Sequence, residues 1–496
     1  MRRVTTDLGN PIHDCRKDTM PIDLTKPLAW KQATHEEQKM LRALQGNILK
    51  SHGRSSTINI FFKINALQKH VMRAALREIA TFHATSAYQQ LLDTEVFKVT
   101  GLSGPPFVGV FLSATGYGAL GVVPAQTPAD PSFKTGMKTA GLADPLSSTW
   151  EAGFQGQIDG MILVASEDET ALDRKRDAIV ILLTAAGGTV VKQQAGKQLF
   201  NPNKLGIEHF GYVDGRSQPL VLLEDVQRES EEAGISQWDP QSTLGVALIP
   251  EPGSTDGVSF GSYFVFRKLE QDVRGFKRQE QVLATTLTLT GEARELAGAL
   301  AVGRFEDGTP VTLSDEAKDV PPANDFNYGA DPGARCPFHG HIRKTNPRGS
   351  GGVEPPAVER NHLMIRRGIT FEDVPRQVHP SDVPSSSSVP NFDAIAGPLL
   401  PTGGVGLLFM AYNHDLGLQF EFTQKTWANS PSFPAAPTPP GIDPVMGQGI
   451  PPSIHNWPKA WDDPTKGTAP LAFQGFVHMR GGEYFFAPSL NFLKAL

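Results

Sequence analysis

The stretch "GMILVASEDETALDRKRDAIVILLTAAGGTVV", Gly160–Val191, decides the fold. It reads as an apolar strand, an acidic turn that caps a helix, and a second strand. The stretch "GVGLLFMAYNHDLGLQFEFTQKTWAN", Gly404–Asn429, repeats its layout: apolar strand, acidic turn, helix. Outward from the first copy lie the strand "TINIFFKI" (57–64), the amphipathic helix "ALQKHVMRAALREIATFH" (66–83) and the strand–helix "PPFVGVFLSATGYGAL" (105–120). Before the second copy lies the strand–helix "GSYFVFRKLEQDVRGFKRQEQVL" (261–283). The pattern predicts an α+β protein of two related units, each β-α-β-β-α-β with an antiparallel sheet. The expected divisions are an N-terminal extension, 1–33, a first unit, 34–225, and a second unit, 226–496. The polar, acidic stretch 224–241, "EDVQRESEEAGISQWDPQ", is the expected break. A capping box of Thr34 and Glu37 opens a helix that Gly46 is expected to stop.

Composition narrows the function. With 496 residues, 39% hydrophobic and 20% charged, the chain is ordinary globular material, large enough to enclose a cofactor. A net charge of -6 argues against a nucleic-acid partner. Two cysteines, Cys15 and Cys336, exclude a disulfide framework and fit a reducing compartment. The opening "MRRVTTDLGNPIHDCRKDTM" has no apolar core behind its arginines, and no apolar run reaches the ~18 residues of a membrane helix. The expectation is a cytoplasmic protein with no membrane partner, or a secreted one if a leader has been removed. The counts of Gly (49) and Pro (40) imply long loops, and residues 305–360 and 376–404 lack periodicity. Long ordered loops in compact domains tend to be functional.

The first of these loops holds "ARCPFHGHIRKTNPR", Ala334–Arg348. Cys336, His339 and His341 are zinc or copper ligand types within six residues, but no second Cys/His cluster completes a four-ligand site. The plain alternative makes Cys336 a small buried hydrophobe and His339 a surface residue. One histidine alone suffices when a porphyrin supplies four nitrogens. Such a ligand needs a carboxylate or carbonyl on its other ring nitrogen. Splitting peroxide on the opposite face needs a proton carrier and a fixed positive charge. Asp214 in "EHFGYVDGRSQP", Arg366 and Arg367 in "HLMIRRGITF", and Asp443 in "GIDPVMG" are the available parts. Each has an ordinary reading taken singly: a hairpin turn, a solvated strand edge, an Asx-turn.

Together, "GYVDG", "RCPFHGHIRKTNPR" and "HLMIRRGITF", with "LQGNILKSHGR" (44–54) and "GLLFMAYNHD…QFEFTQKTWANSP", resemble the dye-decolorizing peroxidase family over roughly residues 40–490. The length and loops resemble its larger fungal-type and related bacterial members. The resemblance implies two ferredoxin-like units with haem b in the C-terminal one, and hydrogen peroxide reduced while phenols and bulky anthraquinone-type dyes are oxidised by one-electron steps. It implies His341 as axial ligand of the haem iron, Asp214 as distal acid–base residue and Arg366 as distal arginine. It places Arg343 and Arg348 at the haem edge and Leu407 and Phe409 as apolar distal residues. Asp443 is the candidate carboxylate partner of His341. Val213 departs from the family, which often has a polar residue before the aspartate. A carboxylate base implies an acidic optimum, with His209 as the alternative base if activity collapses in the imidazole range. The resemblance further implies surface Trp or Tyr relays for bulky dyes, drawn here from Trp150, Trp238, Trp427, Trp457 and Trp461, and a monomer or homodimer. A haem-binding or dechelating protein with little turnover, a non-haem metal protein, and a compartment-packaged cargo are the alternatives; the ending "NFLKAL" argues against the last.

Overall fold

The computed structural model describes residues 22–318, 323–352, 354–383, 388–449 and 453–496. Cys15, the N-terminal stretch to residue 21 and part of the loop 376–404 lie outside them. Helix α1 (His35–Ala43) starts at the predicted capping box, with the Thr34 side chain accepting from the Glu37 amide and the Glu37 carboxylate from the Thr34 amide. It ends at Leu44, before Gly46. Gly46 is needed for a close approach instead: a Cβ there would lie 2.6 Å from Gln90 Oε1 and 2.7 Å from the Phe107 ring.

The first unit runs β1 (Ser56–Lys63), α2 (Lys69–Phe82), α3 (Ala87–Thr100), β2 (Phe107–Leu112), β3 (Gly160–Ser166), α4 (Glu169–Ala185) and β4 (Thr189–Lys197). Helix α2 buries Met72, Ala75, Leu76, Ile79 and Ala80, an i, i+3, i+4, i+7, i+8 stripe that the sequence spells out. The Asp168 carboxylate caps α4 by accepting from the Ala171 amide. Helix α3 was not anticipated; its signals were Ser86 at the N-cap and Gly101 in the left-handed region after its end. Helix α5 (Leu223–Glu232) occupies the stretch expected to be a break. Asp225 pairs with Lys50 at 2.6 Å and Glu229 with Arg216 at 2.9 Å, so the polarity marks a packed amphipathic helix and not a linker.

The second unit runs β5 (Phe260–Gln271), α6 (Val273–Thr286), a long insertion containing the short helix α7 (His341–Thr345), β6 (Ile369–Glu372), β7 (Val405–Asn413) and β8 (Val477–Ala487). The strands form one antiparallel sheet ordered β6-β7-β5-β8-β2-β3-β1-β4. Each half is ordered second, third, first, fourth, which is the ferredoxin-like arrangement, so the duplication seen in the sequence is real in the topology. The halves join where Phe486 of β8 pairs with Leu112 of β2. At the opposite edges the Thr370 hydroxyl of β6 donates to the Lys197 carbonyl of β4, curling the sheet into a barrel. Strand β1 is buried on both faces except at Lys63. Across the junction Phe61 meets Phe266 edge-on at 4.8 Å, and Phe111 meets Phe264 at 4.3 Å. Burying such a side chain is worth about 1.5–3 kcal/mol, so the two halves share one core. No helix among the described residues is long and apolar enough to cross a membrane.

Candidate functional site

A cavity of about 540 Å³ opens between the two halves, within the range of ligand pockets. His341, Asp214, Arg366, Arg348, Leu407 and Phe409 all line it. Arg343 and Asp443 do not.

His341 begins α7. A turn closed by the Gly340 amide on the Pro337 carbonyl, 2.9 Å, delivers it. Its Nδ1 lies 2.8 Å from Asp443 Oδ2. A carboxylate only accepts, so Nδ1 carries the proton and Nε2 is left with its lone pair free. Burial pushes the imidazole pKa down, but Asp443 outweighs it and the net shift is upward. Asp443 itself is fully buried; burial raises its pKa, and the facing His341 and the backbone donors bring it below the ordinary value. Its Oδ1 accepts from the Val445 amide at 2.8 Å and the Met446 amide at 3.0 Å. The Asx-turn and the histidine partnership are therefore both true, one per oxygen.

Asp214 reaches the cavity from the first half, its amide held by the Gly206 carbonyl at 3.0 Å. Arg366 donates to the Ser217 carbonyl at 2.6 Å, and its own amide donates to Gln218 Oε1 at 3.1 Å. The arginine is thus fastened to the segment that carries the aspartate. Burial pushes the Arg366 guanidinium pKa down, opposed by the Asp214 charge. Leu407 and Phe409 share one face of β7 and pair with Leu269 and Arg267 of β5, all four lining the cavity. Arg267 is held by two bonds to Asp144, at 2.8 and 2.6 Å.

Four other guanidiniums frame the pocket without a carboxylate at ion-pair distance among the described residues: Arg304, Arg348, Arg366 and Arg367 are held mainly by neutral oxygens. Burial pulls Arg304 down to about 9 and Arg348 to about 10. Such unpaired buried cations are costly unless an anion joins them. Nothing in the sequence distinguished Arg304, which sits alone in its segment. Trp238 also touches the pocket, with the guanidiniums of Arg348 and Arg360 at 4.8 and 4.9 Å from its ring. Trp427 and Trp457 are buried in the core.

Three expectations are corrected. Arg343 does not reach the cavity. Its side chain is buried and donates to Asp331 Oδ2, the Asp331 carbonyl and the Cys336 carbonyl at 3.1, 3.0 and 2.6 Å, because the Asp331 carboxylate caps that turn and draws the guanidinium inward. His339 is not a surface residue; it is buried against Trp457 at 4.4 Å and His455 at 4.8 Å. His209 is also turned away from the cavity, its Nε2 on the Phe371 carbonyl and Nδ1 on Arg376, and burial lowers its pKa to about 3. Cys336 is fully buried, which pushes its thiol up to about 12, and no cluster of three or more metal-ligating side chains occurs among the described residues.

Comparison with known proteins follows the same lines. Residues 43–197 match the family described as DyP dimeric alpha+beta barrel domain. The chain is 47% identical to the multifunctional dye peroxidase DyP2 of Amycolatopsis sp., covering 96% of this chain and 100% of that one. The solved structure of DyP2 superposes with a TM-score of 0.89. The structure of a DyP-type peroxidase from Anabaena sp. superposes at 0.84 with 38% identity, covering 92% of this chain and 95% of that one. A dye-decolorizing peroxidase in complex with 2,6-dimethoxyphenol superposes at 0.70 with 28% identity, over 92% of this chain and 98% of that one.

Proposed function

From the premise that this chain belongs to the dye-decolorizing peroxidase family, we propose that it holds haem b through His341. With hydrogen peroxide it oxidises aromatic donors, both phenols and bulky anthraquinone-type dyes, in one-electron steps. The observation that carries this reading is the His341 imidazole, open to the cavity at Nε2 and tied at Nδ1 to a buried carboxylate. A lone imidazole cannot hold a metal by itself, but it completes the coordination of iron already held by four ring nitrogens. The cationic pocket fits the group too: Arg348 and Arg304 offer positive charge to its two propionates, while Ile342, Val302 and Val445 offer apolar wall.

Haem, once bound, supplies the redox chemistry that stores the oxidising equivalents of peroxide. The protein supplies the protons and the field. Asp214 takes a proton from hydrogen peroxide on its carboxylate and returns it to the departing oxygen. Arg366, kept charged and fixed by Ser217, stabilises negative charge as it develops on that oxygen. Leu407 and Phe409 narrow the pocket, which admits peroxide and excludes dyes. Bulky donors then need a relay, and Trp238, partly exposed while touching the pocket, is the tryptophan placed to serve. The N-terminal unit, up to about residue 225, contributes Asp214, and the C-terminal unit contributes His341, Arg366 and Asp443.

The test is His341→Ala. Wild-type protein reconstituted with haem should show an intense Soret band and bleach an anthraquinone dye with peroxide, and the variant should lose both. Retention of the pigment and of dye oxidation in the variant would end this reading.

A further inference from the structure

Helix α7 carries a second buried cation, three residues after His341. Lys344 has no exposed surface, and its ammonium donates to the carbonyls of Ser430 at 2.7 Å, Gly441 at 2.8 Å and Phe433. Residues three apart on a helix share a face, so His341 and Lys344 reach toward the same loop. That loop is the one that delivers Asp443: its accepting carbonyls begin at Ser430 and end two residues before the carboxylate. We propose that Lys344 is a positioning residue for the His341–Asp443 pair, clasping the loop that presents Asp443 and supplying the buried counter-charge that pair requires.

The argument is one of charge and valence. To bind iron, His341 must be neutral, which leaves Asp443 as a fully buried anion whose other oxygen receives only backbone donors. An uncompensated buried charge costs several kcal/mol. Lys344 has no carboxylate at ion-pair distance among the described residues, and Asp443 is the anion that supports its charge. Burial pulls the lysine down to about 7. Yet three carbonyls match the three N–H donors of an ammonium, and a neutral amine would leave one of them unmet. The buried set of one anion, one cation and one neutral imidazole then sums to zero. The sequence string "HIRK" therefore encodes two functions on one turn: the ligand and the cation that balances the ligand's partner.

This inference rests on His341 holding haem, and the experiment separates the two. Full-length Lys344→Met, which keeps the length but loses the charge, and Lys344→Gln, which keeps two amide donors, are reconstituted with haem and their midpoint potentials measured. Without the ammonium, the Asp443 charge acts undiminished on His341 and favours the oxidised state, so both potentials should fall. The reduction equilibrium should shift by about tenfold, or about 59 mV for one electron. In an Asp443→Asn background, with haem in excess, the Lys344→Met shift should vanish, because the pair it balances is gone. A lowered melting temperature with an unmoved or raised potential would reduce Lys344 to a structural loop tether and overturn the proposal. Failure of wild-type protein to bind haem would instead overturn the function. Should neither lysine variant fold, the unaltered chain and Asp443→Asn labelled with lysine ¹⁵Nζ decide the matter. The proposal expects a slowly exchanging ammonium signal from Lys344 that moves when Asp443 loses its charge, and identical signals in both proteins refute it.

Discussion

Replacing Asp443 with asparagine changes one atom and forces a choice on the site. The wild-type carboxylate accepts three hydrogen bonds, from His341 Nδ1 on one oxygen and from the Val445 and Met446 amides on the other. Asparagine has one acceptor oxygen and one donor amide. If its oxygen faces His341, its NH₂ faces two backbone donors and leaves both unsatisfied. Each buried orphan costs about 1–3 kcal/mol, about 2–6 kcal/mol together. If instead its oxygen faces the backbone, its NH₂ faces Nδ1, which must become the acceptor. The proton then moves to Nε2, the nitrogen that has to hold iron. The apo-protein should adopt this second arrangement and stay folded. Haem binding requires the first, so affinity should drop by the difference: about 30-fold at the low end and about 10⁴-fold at the high end. The low end agrees with the ordinary 10–100-fold effect of losing a ligand's hydrogen-bond partner. The assay is a haem titration followed at the Soret band, with the melting temperature of the apo-protein measured alongside. Binding within threefold of wild type would show that the carboxylate does not select the imidazole tautomer, and the reasoning would fail.

Other outcomes follow from the same geometry. Asp214→Asn should keep haem binding and lower the rate of reaction with peroxide by about 10²–10⁴-fold, as measured by stopped-flow absorbance. Arg366→Leu should lower the same rate by about 10²–10³-fold, from the loss of one preorganised cation. Trp238→Phe should impair oxidation of a large anthraquinone while sparing a small phenol; equal loss on both would remove Trp238 as a relay. Glu251 offers a stability test. It is buried, its Oε1 has no partner, and burial raises its pKa from 4.5 to about 7. A carboxyl raised on folding binds more protons in the native state, so stability falls as pH rises from about 4.5 through 7, by about 3 kcal/mol in all. Glu251→Gln should therefore flatten the decline in melting temperature between pH 5 and 8, and an unchanged slope would place the titrating group elsewhere.

Much of this protein is legible in its sequence, and the reason is locality. The stripe on α2, the cap at Asp168 and the apolar runs of β3 and β7 are set by neighbours within a few residues, and repeating that local code twice is enough to specify two matching units. The ligand string around His341 could be recognised for the same reason. What the sequence could not settle were alternatives between residues of the same kind in the same stretch. Arg343 and Arg348 lie five apart in one basic cluster, yet only Arg348 meets the cavity, because Asp331, twelve residues upstream, draws Arg343 into the turn. His339 and His341 are two apart, and packing against Trp457 buries the first while the second opens to the pocket. The pairing of His341 with Asp443 spans 102 residues, and that of Arg366 with Ser217 spans 149. Such contacts have no signature in local periodicity: the first exists only once two distant loops of the second half pack together, and the second only once the curled sheet brings the two halves together. The sequence by itself determined which elements form and which side chains were available; tertiary structure decided which of them face one another across the cavity.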